Sequence, residues 1–490
     1  MGGSLAAQRA GVGPAAGAGV GPAQRRAAGV ASNRAGNRLA TAIVCKTISP
    51  APARRQPTHA AKTHLTRAGH VGPCLVNALA ISSMGLMPSR TRRVGQSGHL
   101  MCCCVGVEAL MLSLQPSMPD ATSTETSKPR LFQPARIGDL KIAHRVVLAP
   151  LTRFRANAAH VPLPHVVDYY VQRASVPGSL LITEATMIAP KAAGIPHMPG
   201  IWSEEQIQAW KDVASRVHAQ GSFIFFQIGA LGRAAIPDVL EAEGGFPYVG
   251  ASAVQHPERP FPPHELTPAE IDEYKELFAV AASNAVHKAG FDGVELHSCN
   301  GSLPDQFLND QVNNREDEYG GSVEGRCRFV LEVVEAMIKA VGQKKTALRV
   351  SPWNTDNYMH FPDPIPTFTH LTTQLKTRFP DLAYLHVIEA RVSGTEDAIP
   401  AIGASNAFIR DLWSPKPFLT AGGYTRDSAI KTAEENGDLV VFGRAYIANP
   451  DLPYRLERGV PLTIGNREFY YVMGSTDPTG YTDYESVARD

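Results

Sequence analysis

The sequence predicts a (β/α)8 TIM barrel over about residues 126–490, with a loop insertion after its third strand. From about residue 130, short β-branched runs alternate with amphipathic helical patterns, which is typical of parallel strands joined by crossover helices. Eight such units occupy this part of the chain, the number that closes a barrel of this kind. The chain has 490 residues, of which 44% are hydrophobic, so it can bury one large core.

The eight predicted strands are apolar runs bounded by glycine, proline or polar residues. In chain order they cover residues 145–150, 179–188, 222–229, 293–299, 346–352, 382–390, 418–423 and 439–444. Residues 235–263, which follow the third strand, are dense in Gly and Pro and are therefore predicted to form a loop excursion.

Two capping boxes predict where crossover helices begin. Ser203 stands three residues before Gln206, and Thr267 stands three residues before Glu270, so each pair can satisfy the first amides of a helix. Gly290 is the expected end of the second of these helices.

The charge of the chain is unevenly distributed. Residues 1–107 carry 13 basic residues and no Asp or Glu, whereas the rest of the chain holds 34 basic against 46 acidic residues. An acid-free segment rich in Ala, Gly and Arg is typical of organelle import signals. Residues 1–120 are therefore predicted to be a transit peptide or presequence, for a chloroplast in preference to a mitochondrion.

The same composition restricts the partners that we expect. An acidic remainder argues against nucleic acid. The apolar stretch 100–114 is too short to span a membrane, so no membrane partner is expected. Only Cys299 and Cys327 lie beyond the first 104 residues, which leaves no disulfide framework and no metal site of cysteines. The protein is expected to be a monomer or a homodimer.

Polar side chains and glycines gather at the carboxyl ends of the predicted strands, where barrels of this kind carry their chemistry. They are Thr152, Gln227, His297, Asn300, Arg349, Gly422, Gly423, Gly443 and Arg444. The glycine turns followed by Arg444 predict a phosphate cradle, although such glycines also form plain tight turns. Arg349 lies in an otherwise apolar strand, where a guanidinium needs an anion or an electron-rich ring beside it. His297 and Asn300 could alternatively serve only in local loop hydrogen bonds.

Long segments of the chain resemble the old yellow enzyme family of FMN-dependent ene-reductases, which includes 12-oxophytodienoate reductase-like proteins. The resemblance covers about residues 131–484. Its segments include APLTRFRA (149–156), GVELHSCNG (293–301), NREDEYGGSVEGRCRF (314–329) and VFGRAYIANPDL (441–452). The order of these segments along the chain follows the order of the predicted barrel strands.

This resemblance implies an enzyme with tightly bound, non-covalent FMN that takes hydride from NADPH and delivers it through flavin N5 to electron-poor alkenes in a ping-pong cycle. The implied substrates are enones, enals, maleimides and nitroalkenes. His297 and Asn300 would hold the substrate oxygen, and Thr152 would bond flavin O4. The implied cofactor-binding residues are Pro150, Leu151, Thr152, Ala185, Gln227, Arg349, Gly422, Gly423, Gly443 and Arg444.

Two positions depart from the family pattern. Ser302 stands where most members place a tyrosine that protonates the substrate, and Gly229 stands where a tryptophan lines the pocket. Tyr470 matches a family aromatic that faces the substrate and could relay a proton. Because the usual acid is replaced, a quinone or nitro-compound reductase of the same fold, or a flavin-binding sensor with little turnover, is an alternative to an ene-reductase.

Overall fold

The computed structural model describes residues 127–489 and contains a closed barrel of eight parallel strands. The barrel strands are β1 (Val146–Leu148), β2 (Leu180–Ile182), β3 (Phe223–Gly229), β4 (Gly293–Ser298), β5 (Thr346–Val350), β6 (Leu385–Ile388), β7 (Phe418–Ala421) and β8 (Leu439–Phe442). Each strand pairs with the next in chain order, and β8 pairs with β1 to close the ring. The predicted TIM barrel is confirmed.

Successive side chains of a barrel strand face opposite sides of the sheet, one toward the barrel interior and the next toward the helices. In β8, Leu439 and Val441 fill the barrel interior, whereas Val440 and Phe442 pack against the surrounding helices. Both faces are buried, which is why these strands are continuous apolar runs rather than alternating ones.

Eleven α-helices are present in the described part of the chain. They are α1 (Val166–Arg173), α2 (Glu204–Ala219), α3 (Pro237–Gly244), α4 (Pro268–Ser283), α5 (Leu303–Leu308), α6 (Val323–Val341), α7 (Ile365–Arg378), α8 (Ala407–Trp413), α9 (Arg426–Asn436), α10 (Arg444–Ala448) and α11 (Leu452–Arg458). Short 3-10 turns lie at Arg130–Phe132, Pro190–Ala192, Gly232–Ala234, Gln343–Lys345, Asp356–Tyr358 and Arg467–Phe469.

Both predicted capping boxes are formed, at the start of α2 and at the start of α4. A π-helical turn, Asn284–Lys288, extends α4. The chain then leaves the helix at Gly290, whose φ of 82° is a conformation that glycine adopts without strain.

The structure differs from the sequence prediction in three places. The stretch 235–263 is not only loop, because it contains α3 and the short strand Val249–Gly250. Pro237 at the first turn of α3 and the left-handed Gly245 at its end explain how this segment forms a helix. The predicted strand 179–188 is interrupted after β2 and resumes as Thr186–Met187.

The third difference is an antiparallel hairpin ahead of the barrel, which the sequence analysis did not predict. It is made by Ala135–Ile137 and Leu140–Ile142, and its Ile137 and Ile142 are fully buried against the barrel interior. The predicted presequence, residues 1–120, lies outside the described residues.

A C-terminal segment beyond α11 packs against the beginning of the barrel. Arg153, which follows β1 and is fully buried, donates hydrogen bonds to the backbone carbonyls of Tyr470 (3.0 Å) and Gly480 (2.7 Å). Arg173 at the end of α1 donates to the carbonyl of Tyr481. Within residues 127–489, none of the helices combines the length and the apolar character needed to cross a membrane.

Candidate active site

Four neighbouring barrel strands place polar side chains at one level of the barrel interior. Gln227 of β3 is in register with Glu295 of β4, and Arg349 of β5 is in register with both His297 of β4 and His386 of β6. We call Gln227, Glu295, Arg349 and His386 the polar floor. Their side chains are buried, and Arg349 with 8% exposure is the most accessible of them.

Glu295 is the centre of the polar floor. Its two carboxylate oxygens accept hydrogen bonds from Gln227 Nε2 at 2.6 Å and from His386 Nδ1 at 2.9 Å. Burial acts to raise the pKa of Glu295, but the hydrogen bonds from His386 and Gln227 and the charge of Arg349 hold that pKa below its ordinary value. Burial lowers the pKa of His386. The pair therefore consists of an ionised carboxylate and a neutral imidazole with its proton on Nδ1.

The unused polar atoms of the floor fit the pyrimidine edge of a flavin. Because Gln227 Nε2 faces a carboxylate, its amide oxygen is left to accept a hydrogen bond from a ring N–H group. Arg349 Nε is buried and has no acceptor among the described residues. A cation and an amide beside one another match the ring oxygens and the N–H group of that edge.

The other predicted cofactor residues follow their strands as expected. Pro150, Leu151 and Thr152 come directly after β1, with Pro150 buried and Thr152 half-buried, and Ala185 lies after β2 with 6% exposure. This arrangement puts small and apolar groups together with one hydroxyl at the same end of the barrel as Gln227.

Close neighbours or a positive φ favour glycine in the turns after β7 and β8. Gly422 has a φ of 145°, and a Cβ atom there would lie 2.9 Å from Cβ of Glu389. A Cβ atom on Gly443 would lie 3.2 Å from Leu151 Cδ2. Gly423, with a φ of 60°, is exposed. These turns are tight in their own right, and they also leave backbone amides near the barrel mouth.

Arg444 has a partner that the sequence analysis did not predict. Its guanidinium binds the carboxylate of Asp397, which belongs to a small β-ribbon (Val392–Ser393 and Glu396–Asp397) in the connection after β6. Arg467 binds Glu396, the residue before Asp397 in the same strand, and donates to Thr395 Oγ1 at 2.9 Å. Arg444 is therefore held by a carboxylate next to the glycine turns, where the sequence predicts a phosphate partner.

His297 lies at the end of β4 and carries a neutral ring. Loss of hydration and the nearby charge of Arg349 lower its pKa to about 3. Cys299 Sγ lies 3.3 Å from Nδ1 of His297, and burial raises the pKa of that thiol to about 12. Either group can be the donor in this contact, and when the thiol donates to an unprotonated Nδ1 the imidazole proton lies on Nε2.

The backbone of Asn300 is fixed by a turn, and its side chain makes no hydrogen bond to any of residues 127–489. Asn300 has a φ of 54° and is followed by Gly301 with a φ of 81°. Asp305 Oδ2 accepts from the Gly301 amide at 2.9 Å, and Ser351 Oγ accepts from the Asn300 amide at 3.0 Å. The side-chain oxygen of Asn300 is buried without a donor among the described residues.

The two departures from the family pattern lie next to His297. Ser302 is buried, and its hydroxyl donates to the His297 carbonyl at 2.8 Å. A Cβ atom on Gly229 would lie 3.3 Å from Cβ of His297. Tyr470 is buried as well, but its hydroxyl lies against Gly465 and its hydrogen bonds involve neither His297 nor Asn300.

The sequence analysis missed Glu295, His386, Cys299 and Asp305 as residues of the site. Glu295 had a usable signal, because it is a charged residue in the middle of an apolar strand, two positions before His297 and on the same face. Among residues 127–489, no cluster of three or more His, Cys, Asp and Glu side chains is placed to hold a metal ion.

An eight-stranded barrel with a polar floor at the carboxyl ends of its strands, and a neutral histidine beside it, defines an oxidoreductase of the flavin-binding barrel class. The model of the NADH:flavin oxidoreductase / NADH oxidase family matches residues 130–463. The chain belongs to this family, the old yellow enzyme family.

Several curated relatives are similar over nearly their whole length. A chanoclavine-I aldehyde reductase of Penicillium roqueforti is 46% identical over 364 residues, which cover 74% of this chain and 97% of the relative. An NADP-dependent oxidoreductase of Aspergillus flavus is 46% identical, with 72% of this chain and 96% of the relative covered. A protein of Epichloe festucae var. lolii named as a probable inactive reductase is also 46% identical, with 73% and 95% covered.

Solved structures agree with this assignment. The old yellow enzyme of a Pichia species is 35% identical, with a TM-score of 0.67 and coverage of 74% of this chain and 95% of that one. The old yellow enzyme of Trypanosoma cruzi is 32% identical, with a TM-score of 0.68 and coverage of 74% and 100%.

Proposed function

We propose that the protein is an FMN-containing, NADPH-dependent reductase of activated C=C bonds in small molecules such as enones, enals, maleimides and nitroalkenes. The observation that carries the proposal is the arrangement at the end of β4. There a neutral His297 and the free carboxamide of Asn300 lie beside a polar floor that fits a flavin. The names of the Penicillium and Aspergillus relatives support an aldehyde-bearing substrate and an NADP cofactor.

FMN, when bound, would supply hydride transfer from NADPH to the β-carbon of the alkene through its N5 atom, in two half-reactions of a ping-pong cycle. The residues named here act on the substrate oxygen and on protons. Nε2–H of His297 and the amide N–H of Asn300 donate to the carbonyl or nitro oxygen, where negative charge grows as the β-carbon gains hydride. Donors that are already oriented stabilise that charge without further rearrangement.

The second hydrogen, the proton for the α-carbon, comes from a group other than Ser302. The hydroxyl of Ser302 already donates its hydrogen to the His297 carbonyl, and a serine hydroxyl is a weak acid. Water or another hydroxyl therefore has to protonate the substrate. We expect substrates whose reduced form is stable before protonation, such as nitroalkenes, to react well.

The position of Ser302 also favours a second function. A quinone or nitro-compound reductase does not depend on a side-chain acid at this place, so the occupied hydroxyl does not hinder it. A flavin-binding sensor with little turnover is the third possibility, and the name of the Epichloe relative as probably inactive supports it.

The central test is the oxidation of NADPH by the purified full chain, measured alone and with a nitroalkene, an enone, an enal or a quinone. Yellow protein with one FMN per chain and alkene-dependent oxidation supports the proposal. Turnover with quinones but not with any alkene assigns the second function, and binding of FMN without turnover assigns the sensor. Protein that takes up no FMN contradicts the whole assignment.

A second test addresses the oxygen-binding pair. The double variant His297→Ala/Asn300→Ala should keep FMN but lose the long-wavelength absorbance that phenols give over oxidised flavins, because the phenolate loses both donors. The matched control is His264→Ala/Asn436→Ala, which changes the same residue types at exposed positions. If phenol affinity stays within a few-fold of wild type in the first variant, the anion site lies elsewhere.

We also propose import into an organelle, a chloroplast in preference to a mitochondrion, directed by residues 1–120, of which the first 107 contain no Asp or Glu. A fluorescent fusion of the full chain should enter a chloroplast or a mitochondrion, and a fusion that lacks these residues should stay in the cytosol. Equal distribution of the two fusions would contradict this proposal.

A further inference from the structure

We infer that Glu295, held by His386, is a positioning residue that orients Gln227 and sets the reduction potential of the bound flavin by offsetting the charge of Arg349. The inference rests on the proposed function, because it concerns FMN at the polar floor. It concerns a pair of residues that touches neither the substrate nor the reacting atoms.

The first step is the orientation of the Gln227 carboxamide. A carboxamide can turn by 180°, which exchanges its donor and its acceptor, and the two faces recognise opposite partners. An ionised carboxylate only accepts hydrogen bonds, so Glu295 at 2.6 Å requires that Nε2 of Gln227 point toward it. The amide oxygen is thereby presented to the cofactor, where it can accept from a ring N–H group.

The second step is the orientation of Glu295 itself. Its other carboxylate oxygen accepts from His386 Nδ1 at 2.9 Å, and both side chains are fully buried. A hydrogen bond at each oxygen leaves the carboxylate little freedom to rotate. The order of the contacts is thus His386 to Glu295 to Gln227, from β6 across to β3.

Glu295 and Arg349 also act on the cofactor through their charges. Arg349 is buried near Glu295, and the attraction between the two contributes to the low pKa of the carboxyl group. Since His386 is neutral, the floor carries one positive and one negative charge. Both charges are buried in a weakly polarisable interior, so a neighbouring ring responds strongly to each of them.

The sign of the effect follows from the chemistry of the flavin. Reduction adds negative charge at the pyrimidine edge, which Arg349 stabilises and Glu295 destabilises. With Glu295 ionised, the flavin is harder to reduce and its hydride is a stronger reductant. Removal of the negative charge should therefore raise the reduction potential.

The experiment measures the reduction potential of FMN in the full-length holoenzyme against a reference dye. Glu295→Gln keeps the size of the side chain and removes its charge. We expect the equilibrium constant for two-electron reduction to increase about tenfold, which corresponds to about 30 mV toward positive potential. Glu295→Asp keeps the charge and should stay closer to wild type.

The matched control is Asp438→Asn. Asp438 is also a buried carboxylate, but its partner is Arg410 at 2.7 Å and it lies at the amino end of β8, away from the polar floor. Its replacement should leave the potential unchanged. An equal shift in Glu295→Gln, Glu295→Asp and Asp438→Asn would show a general structural effect and overturn the inference.

A second comparison covers the case in which Glu295→Gln does not fold because the buried charge of Arg349 is no longer offset. Arg349→Met should lower the potential and weaken FMN retention, and Arg349→Met/Glu295→Met should recover both toward wild type. A double variant as low in potential as the single, or a double variant that cannot be obtained folded, overturns the inference. Wild-type protein that takes up no FMN contradicts the proposed function instead, so the two failures are distinguishable.

Discussion

The hydroxyl of Ser302 donates a hydrogen bond to the backbone carbonyl of His297, with 2.8 Å between the two oxygens. The residue that replaces the family's acid thus supports the chain that carries the oxygen-binding histidine. Its hydrogen is directed at the protein, so the proton for the substrate comes from water or from another hydroxyl.

Substitutions of Ser302 should separate support of the His297 backbone from protonation of the substrate. Ser302→Ala should leave the rates with enones and nitroalkenes within a few-fold of wild type and cost about 1 kcal/mol of stability through the lost hydrogen bond. Ser302→Tyr should accelerate enones more than nitroalkenes, because a phenol in reach of the α-carbon contributes on the order of 100-fold or more as a general acid. Stopped-flow oxidation of the reduced enzyme by an enone and by a nitroalkene measures the two rates. Equal effects on the two substrate classes would mean that another side chain already supplies the proton.

The contact between Cys299 and His297 predicts a tautomer. Cys299→Val keeps the volume and removes the S–H donor to Nδ1, so the proton on Nε2 is no longer specified. We expect phenol affinity to fall about five-fold to ten-fold, as for a lost hydrogen bond of about 1 kcal/mol. FMN content should not change. Cys327→Val, at a buried cysteine remote from the floor on α6, is the control and should leave phenol affinity unaltered.

Asp305 predicts a pH dependence of stability. Burial raises its pKa to about 7 from an ordinary 3.8, so the folded state holds a proton that the unfolded state releases. Its contribution to stability is therefore complete below pH 4 and is lost as the pH rises toward 7. Asp305→Asn keeps an acceptor for the Gly301 amide and cannot ionise. The variant should gain stability relative to wild type between pH 4 and 7, by up to a few kcal/mol, and this gain should be constant at higher pH. Thermal melts of both proteins across this range measure it, and a difference that is flat with pH would show that Asp305 is not buried as an acid.

The space around Gly229 predicts the effect of larger side chains on the size of substrate that the pocket accepts. A Cβ atom there would lie 3.3 Å from Cβ and 3.4 Å from Cδ2 of His297, which is tight enough to move the ring slightly. Gly229→Ala should therefore weaken phenol binding a few-fold. Gly229→Trp should abolish turnover of polycyclic substrates but retain small ones such as a cyclohexenone. The substrate profile of the two variants is the measurement, and an unchanged profile in Gly229→Trp would place the open space elsewhere.

Much of the fold could be predicted from the sequence because its signals are local. Barrel strands are apolar runs that end at glycine or proline, and the capping boxes at Ser203 and Thr267 need only residues three apart. The hairpin at Ala135–Ile137 was missed because its strands are only three residues long. Its tight turn at Gly138, with a φ of 52°, was the available signal.

The candidate site was predictable in its residue types but not in its pairings. His297, Asn300, Gln227 and Arg349 were named from their places at strand ends. Glu295 is hydrogen-bonded to both Gln227 and His386. These three residues lie on different strands, so the contacts depend on strand register, which cannot be read from any single segment of the sequence. The pairing of Arg444 with Asp397 depends on a ribbon in a distant connection. The assigned roles of the site residues stay predictions until the variants are made.

The bonds between the C-terminal segment and the start of the barrel set the order of events while the protein is being made. β1 emerges early, but its free edge cannot pair until β8 has been synthesised. Arg153 and Arg173 likewise lack these acceptors, the carbonyls of Gly480 and Tyr481, until the end of the chain has been synthesised. An unpaired parallel edge and buried-type arginines without acceptors make a nascent chain prone to aggregation. The barrel can therefore close only after nearly the whole polypeptide has left the ribosome.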